Sequence, residues 1–270
     1  MQTFDDKTAP HQLAFEAYGT ELRICTNSRE LLDHVELMLP PGWRRRPRSS
    51  KQHRLGLLEE GNGIYSIYRP SDGACIHDAP GREYALTMLE SQIQGHIALD
   101  ATEFVFIHAG VVADGGRAIV IPGMSFSGKT TLVRALVDAG AVYYSDEFAA
   151  LDETGHVVPY AKRLTVRRPN EGADDYSVEQ LGGVAGVEPM RMGLVIVTHF
   201  RPEAEWQPRQ LTPGAGALAM LEHAVPAQAR PEQTLRVLKR ALQGAVILQG
   251  ERGEANDVAR VLLDTLRAAA

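Results

Sequence analysis

Residues 118–130 read AIVIPGMSFSGKT, and this stretch decides the fold. The apolar run AIVIP reads as a strand. Gly123, Gly128, Lys129 and Thr130 then satisfy G-x-x-x-x-G-K-[ST] at every fixed position. A helical pattern runs from about Lys129 to Ala139, and Gly140 stops it. Between a strand and a helix, glycines let backbone N–H groups turn toward an anion. The helix start adds the positive end of its dipole. Lys129 supplies a full charge over a β/γ-phosphate bridge, and Thr130 supplies a hydroxyl for Mg²⁺. Gly123, Ser125, Ser127, Gly128, Lys129, Thr130 and Thr131 are therefore the candidate nucleotide-binding residues. The pattern implies a nucleotide; it does not by itself imply transfer of a phosphate.

A helix and a short strand further on, the chain reads YYSDEF, Tyr143 to Phe148. In a strand–loop–helix–strand unit both strand ends open on one rim of the sheet. Asp146 is thus expected near the outermost phosphate. A carboxylate there can hold Mg²⁺, orient a water for hydrolysis, or accept the proton of a substrate hydroxyl. Glu147 lies beside it, and on a continuing strand the two would point to opposite faces. The bland alternative is a solvated strand end.

His108 lies in FVFIHAGVV, residues 104–112, an apolar run expected of a strand buried on both faces. A lone histidine in such a run is more often a core residue than a catalytic one. A strand laid beside AIVIP would nevertheless carry it to the same rim. Past the acids, PYAKRLTVRRP (159–169) offers Lys162 and Arg163 as cations for a migrating phosphate or an anionic acceptor. Cations on a strand edge are also ordinary solubility devices. His223 and the other lone histidines read as structural.

Composition sets the outer bounds. The chain has 270 residues, 44% hydrophobic and 23% charged, which is globular material for one large domain or two small ones. A net charge of −6 disfavours nucleic acid as the main partner. Against that balance, Arg44, Arg45, Arg46, Arg48, Lys51 and Arg54 crowd one proline-broken segment. It reads as an exposed, mobile loop, or as a contact for an acidic peptide or phosphate. Cys25 and Cys75 are too few for a disulfide framework and too isolated for zinc. No leading apolar segment is visible, and no run approaches the ~18 apolar residues that span a bilayer. The expectation is a cytoplasmic protein without membrane contact.

The pattern changes character near residue 100. Residues 1–100 read as a small α+β domain. It has strands within 13–25 about Gly19, a helix at 29–38, an antiparallel meander at 54–60, 64–68 and 74–76, and an amphipathic helix at 82–99. Residues 101–270 carry the motifs, with further strands at 148–151, 156–160, 193–198 and 245–248, and helices at 215–223, 231–242 and 255–269.

Taken in order, FIHAGVV, GMSFSGKT and YYSDEFAALD resemble the catalytic domain of HPr kinase/phosphorylase. The resemblance is closer still to HPr-kinase-related proteins, which carry HAG before the loop, GKTT within it and SDE after it. It spans about residues 104–168. It implies an α/β P-loop core of the HPr kinase/phosphoenolpyruvate carboxykinase type, a mixed sheet flanked by helices, behind the small N-terminal domain. It implies ATP and Mg²⁺ as cofactors and phosphorylation of a hydroxyl; the residues leave the acceptor open between a serine of a small protein or peptide and a small polyol or sugar. Asp146 then stands for the proton acceptor. Glu147 takes the second acid's place, assisting the metal with Thr130 or assisting the base. His108 lies by the reacting phosphate, and a homo-oligomer is implied.

The sequence also departs from the family. Phe126 and Ser127 replace a more glycine-rich cradle, and Thr130-Thr131 replaces the usual Ser-Glu. The long signature after the acid pair has no counterpart in RRPNEGADDYSVEQLGGVAG, residues 167–186. The expectation is a kinase with a different acceptor. Two rivals stand beside it: a nucleotide-gated regulatory module, and an NTP hydrolase. No water-positioning Gln or Arg finger can be assigned for the second.

Overall fold

The computed structural model describes residues 4, 7–49, 52–69, 72–124, 127–168 and 172–269. The chain divides into two units, residues 1–102 and 103–270.

In the first unit, β1 (His11–Ala17) and β2 (Thr20–Thr26) form a hairpin. α1 (Arg29–Leu37) follows; the Ser28 side chain caps it by accepting from the Leu31 N–H, and Leu31, Leu32 and Val35 are its buried face. Next come β3 (Arg44–Arg45), β4 (His53–Gly61), β5 (Ile64–Tyr68), β6 (Cys75–Pro80) and α2 (Arg82–Asp100). The strands β4, β5 and β6 form the antiparallel meander. A parallel β2–β4 seam, reached through α1, joins it to the hairpin, so one six-stranded sheet runs β3-β1-β2-β4-β5-β6. Part of the basic segment is the edge strand β3, where Arg45 reaches Glu36 at 2.8 Å, and Arg46 just beyond it pairs with Glu16. Acids on neighbouring elements thus take up some of its charge. Lys51 lies outside the described residues.

The second unit begins with β7 (Phe104–Asp114), β8 (Arg117–Pro122), α3 (Lys129–Asp138), β9 (Val142–Ser145), β10 (Phe148–Asp152) and β11 (Val157–Val158). β12 (Leu164–Arg168) and β13 (Gly172–Tyr176) pair antiparallel as a separate two-stranded sheet that overlaps the first part of the segment without a family counterpart. β14 (Arg191–Phe200), β15 (Arg209–Gln210), α4 (Pro213–Leu221), α5 (Pro231–Ala241), β16 (Val246–Arg252) and α6 (Ala255–Ala268) complete it. The main sheet runs β11-β10-β7-β8-β14-β16-β15, with β9 also on β7. β8, β14 and β16 are mutually parallel, whereas β7 is antiparallel to β8, β9 and β10. The architecture is mixed α/β.

Strand alternation divides the core into two layers. Ile119, Ile121, Leu194 and Ile196 pack with Leu132 and Leu136 of α3 and with Val258 and Leu262 of α6. Their neighbours Ala118, Val120 and Val195 pack with Met220 of α4 and with Val237 and Leu238 of α5. Helices on both faces are why these strands read as continuous apolar runs rather than alternating ones.

One position on β7 lets α3 approach its backbone. A Cβ on Gly110 would lie 2.5 Å from Val133 Cγ2 and 3.8 Å from Lys129 Cβ. Gly110→Ala is therefore expected to destabilise the fold by about 1–3 kcal/mol through overpacking, read as a fall in Tm of several degrees. Val133→Ala in the same chain should recover part of that loss. Strictly additive losses in the double variant would contradict the contact.

Candidate active site

The site is assembled by the two edges of β7. On one edge the β8 ladder runs to Ala109↔Pro122, and the next residue continues it: the Gly123 N–H donates to the His108 carbonyl at 3.0 Å. On the other edge, β9 and β10 follow β7 in turn, with Ser145 opposite Val111 and Phe148 opposite His108. Between those pairings the Ala109 N–H donates to the Glu147 carbonyl at 3.1 Å. The glycine-rich segment and the acid pair therefore flank the same two residues of one strand. β8 and β9 are parallel but are not neighbours, and the acids reach the rim across β7.

The acid pair directly follows the end of β9 at Ser145. The Ser145 hydroxyl accepts from the N–H groups of Glu147 (3.1 Å) and Phe148 (2.9 Å). This local turn interrupts a ladder that resumes at β10. The interruption frees the two carboxylates from strand alternation. Asp146 Oδ2 lies 3.2 Å from the Thr130 hydroxyl, and its Oδ1 lies 3.0 Å from the Tyr143 hydroxyl. Glu147 turns to a different set: Oε2 is 3.5 Å from Lys162 Nζ and Oε1 is 3.7 Å from His108 Nδ1. The sequence reading gave Glu147 to a metal together with Thr130; the carboxylate beside Thr130 is Asp146. Below the cluster, Phe148 lies 4.7 Å from the His108 ring and packs edge-on against Phe106 and Tyr160.

The charges respond to burial in opposite ways. Asp146 is 8% exposed. Burial pushes its pKa up, against the Lys162 charge and the hydrogen bonds from Tyr143 and Thr130. Burial alone would raise Glu147 too, but His108, Lys162 and Lys129 outweigh it and hold that carboxyl below its usual value. Burial lowers the Lys129 ammonium, with Glu147 and Asp146 opposing. Adjacent carboxyls pushed apart in this way suit one group to take a proton and the other to stay charged.

The glycine-rich segment has its own constraints. Gly128 caps α3 with φ +82, a left-handed conformation that favours glycine. Its carbonyl accepts from Arg252 Nη2 at 2.9 Å, and a Cβ there would lie 2.7 Å from that nitrogen. The Ser127 N–H donates to the Met124 carbonyl at 3.3 Å, and Lys129 Nζ donates to the same carbonyl at 2.7 Å. Thr131 is exposed on the first turn of α3. Ser125 lies outside the described residues.

The structure thus brings His108, Gly123, Lys129, Thr130, Asp146, Glu147 and Lys162 together. Arg163 instead directs its guanidinium to Gln180 at 3.4 Å. Tyr143 and Ser145 also contact the acid pair and are not assigned from sequence, although both lie in the same YYSDEF. His223 also reaches the site. Its carbonyl accepts from the His108 N–H at 2.9 Å, and its ring Nδ1 is buried with no hydrogen-bond partner among the described residues. Burial lowers its pKa, and the Lys129 and His108 charges add to that against Glu222. No motif marks that segment in the sequence.

Thr130 and Asp146 present hard oxygen donors side by side, which fits magnesium better than a soft metal. Among the described residues, no group of three or more His, Cys, Asp or Glu side chains is placed to hold a metal. A magnesium ion would therefore rest on one or two protein oxygens and on phosphates, as this ion commonly does.

No family model matches the chain, and no curated protein matches it. Among solved structures it is similar to the Hpr(Ser) kinase/phosphatase from Coxiella burnetii, at 15% identity and a TM-score of 0.37, with 60% of this chain and 96% of that chain covered.

Burial of Asp146 has a consequence for stability. Its folded pKa is raised above the unfolded value, so the ionised group disfavours the fold at neutral pH. That penalty fades as pH falls through the raised value. In metal- and nucleotide-free buffer, Asp146→Asn should raise Tm at about pH 7, with the gain shrinking toward about pH 4. A Tm that is unchanged or lower at neutral pH would contradict this assignment.

Proposed function

We propose that this protein is an ATP- and Mg²⁺-dependent kinase that transfers the γ-phosphate to a hydroxyl acceptor. The acceptor is a serine of a small protein or peptide, or a small polyol or sugar. The observation that carries the reading is the Asp146 carboxylate, buried yet 3.2 Å from the Thr130 hydroxyl. It stands beside a glycine-rich segment that satisfies the nucleotide pattern in full. The ordered HAG, GKTT and SDE motifs support the same reaction class.

Backbone amides of residues 127–131 and the Lys129 ammonium hold the phosphates. Thr130 and Glu147 would hold magnesium, which when bound neutralises charge across the β- and γ-phosphates. The acceptor oxygen forms a bond to the γ-phosphorus as the bond from that phosphorus to the bridging oxygen breaks. ADP leaves with the electron pair, and Asp146 takes the hydroxyl proton. Lys129 balances the charge that develops on the leaving group. Glu147 stays ionised and holds Lys162 and His108 toward the transferring group.

A second reading exchanges the carboxylates, because the one nearest Thr130 is Asp146. Asp146 then serves the metal, and Glu147 with His108 faces the acceptor.

Incubation with γ-labelled ATP, Mg²⁺, a metabolite panel and peptide extracts tests the class. Label should move to a discrete product, and Asp146→Asn should lower the rate by at least ~10²-fold. Phosphate release that no acceptor accelerates would instead mark a hydrolase, and binding without turnover a regulatory module. A Mg²⁺ titration separates the two carboxylate assignments. The metal-side variant, whether Asp146→Asn or Glu147→Gln, should raise the Mg²⁺ requirement; the base variant should stay slow at saturating Mg²⁺.

A further inference from the structure

Beside the glycine-rich segment lies a cavity of about 410 Å³. Ser127, Gly128 and Thr131 form one wall, and Phe200, Arg252 and Glu254 stand among those opposite. His108, Asp146, Glu147 and Lys162 do not line it. The sheet explains its place. β8, β14 and β16 are consecutive parallel neighbours. Gly123 follows the carboxyl end of β8 and Gly128 precedes α3, while Phe200 ends β14 and Arg252 ends β16, with Phe200 paired to Arg252. The crevice outside the carboxyl ends of parallel strands is where open α/β sheets bind ligands.

The walls are built for more than solvent. Arg252 is 2% exposed. Its Nη2 donates to the Gly128 carbonyl (2.9 Å) and its Nη1 to the Gly253 carbonyl (3.1 Å), while its Nε is buried without a hydrogen-bond partner among the described residues. The guanidinium lies 5.6 Å from the centroid of the Phe200 ring, yet Phe200 remains 46% exposed. A large apolar ring held by a buried cation, with surface left over, is a stacking platform. Glu254 adds an acceptor-only carboxylate that suits sugar hydroxyls. The volume falls within the range of small-ligand sites.

We propose that this cavity takes the nucleoside of the bound nucleotide, with the base on Phe200, the ribose hydroxyls on Glu254 and Arg252 bracing Gly128 between nucleoside and phosphates. The proposal rests on the nucleotide reading above. If Lys129 and Thr130 hold the outer phosphates next to Asp146, the polyphosphate chain must continue along the segment. It then ends where Ser127, Gly128 and Thr131 wall the cavity.

Calorimetric binding of ATP and of inorganic tripolyphosphate to the full chain, both with Mg²⁺, separates the two ideas. Wild-type protein should bind ATP more tightly than tripolyphosphate. Phe200→Ala should weaken ATP by roughly 5- to 100-fold, the range of one base–aromatic stack. Tripolyphosphate should stay within about twofold in the same variant, which also shows that it is folded. If tripolyphosphate binds but Phe200→Ala leaves the ratio of the two affinities unchanged, the nucleoside assignment is overturned and the phosphate cradle stands. If neither compound binds wild-type protein, the nucleotide reading falls and this assignment with it.

Discussion

The backbone of β7 is the constraint on which the rest of the site depends. The His108 carbonyl takes the Gly123 N–H, the His108 N–H goes to the His223 carbonyl, and the Ala109 N–H goes to the Glu147 carbonyl. Buried backbone groups must be paired, and a one-residue slip would turn every side chain of the strand to the other face. With helices packed on both faces, such a slip would exchange the residues that β7 gives to the two core layers. The separation of the glycine-rich segment from the acid pair is thus set by sheet register and not by loop conformation. Gly110 adds the third coordinate, because it lets α3 and its first residue, Lys129, lie close to the strand.

Register alone would place two neighbouring carboxylates on opposite faces. The Ser145 hydroxyl changes this by capturing two backbone N–H groups and turning the chain within the ladder. Asp146 goes into a buried niche with Tyr143 and Thr130, and Glu147 goes to a cationic one with Lys162 and His108. An ionised carboxylate buried this deeply is unfavourable unless several donors or cations meet it. The hydroxyls of Tyr143 and Thr130 offset part of that cost, and the raised pKa shows that they do not remove it. A fold that tolerates such a residue beside a motif for phosphate is spending stability where chemistry is expected.

Much of this was legible because its signals are local. The helix expected at 129–139 spans Lys129–Asp138, and the one expected at 29–38 spans Arg29–Leu37. Both carry apolar residues at helical spacing with recognisable ends. The glycine-rich segment is contiguous, so its chemistry can be read without the fold. What the sequence hid is non-local. The parallel seam between β2 and β4 depends on which strands meet after a crossover, and no residue of either strand announces its partner. His223 reaches the site through a backbone bond to β7 from a distant segment. The different surroundings of Asp146 and Glu147 follow from a serine turn that has meaning only once the two flanking strands are known to share one ladder. Lys162 and Arg163 looked equivalent in sequence, but Lys162 reaches Glu147 while the Arg163 guanidinium turns to Gln180; neighbours on an extended chain point apart.

The mixed sheet also has a functional logic. Its parallel half, β8, β14 and β16, opens a crevice at the carboxyl ends, and every wall of the proposed nucleoside cavity comes from those ends or from the helix starts that follow them. Its antiparallel half, β7 with β9 and β10, brings the acid pair and His108 against the same glycine-rich segment from the other side. β8 belongs to both halves, so the segment that leaves it is shared. In the proposed reading a nucleotide lies along the rim across the strands, its base over the parallel half and its transferable phosphate over the antiparallel half. Here the strand antiparallel to β8 carries His108 to the level of Gly123, and its far edge pairs with the segment that holds the acids.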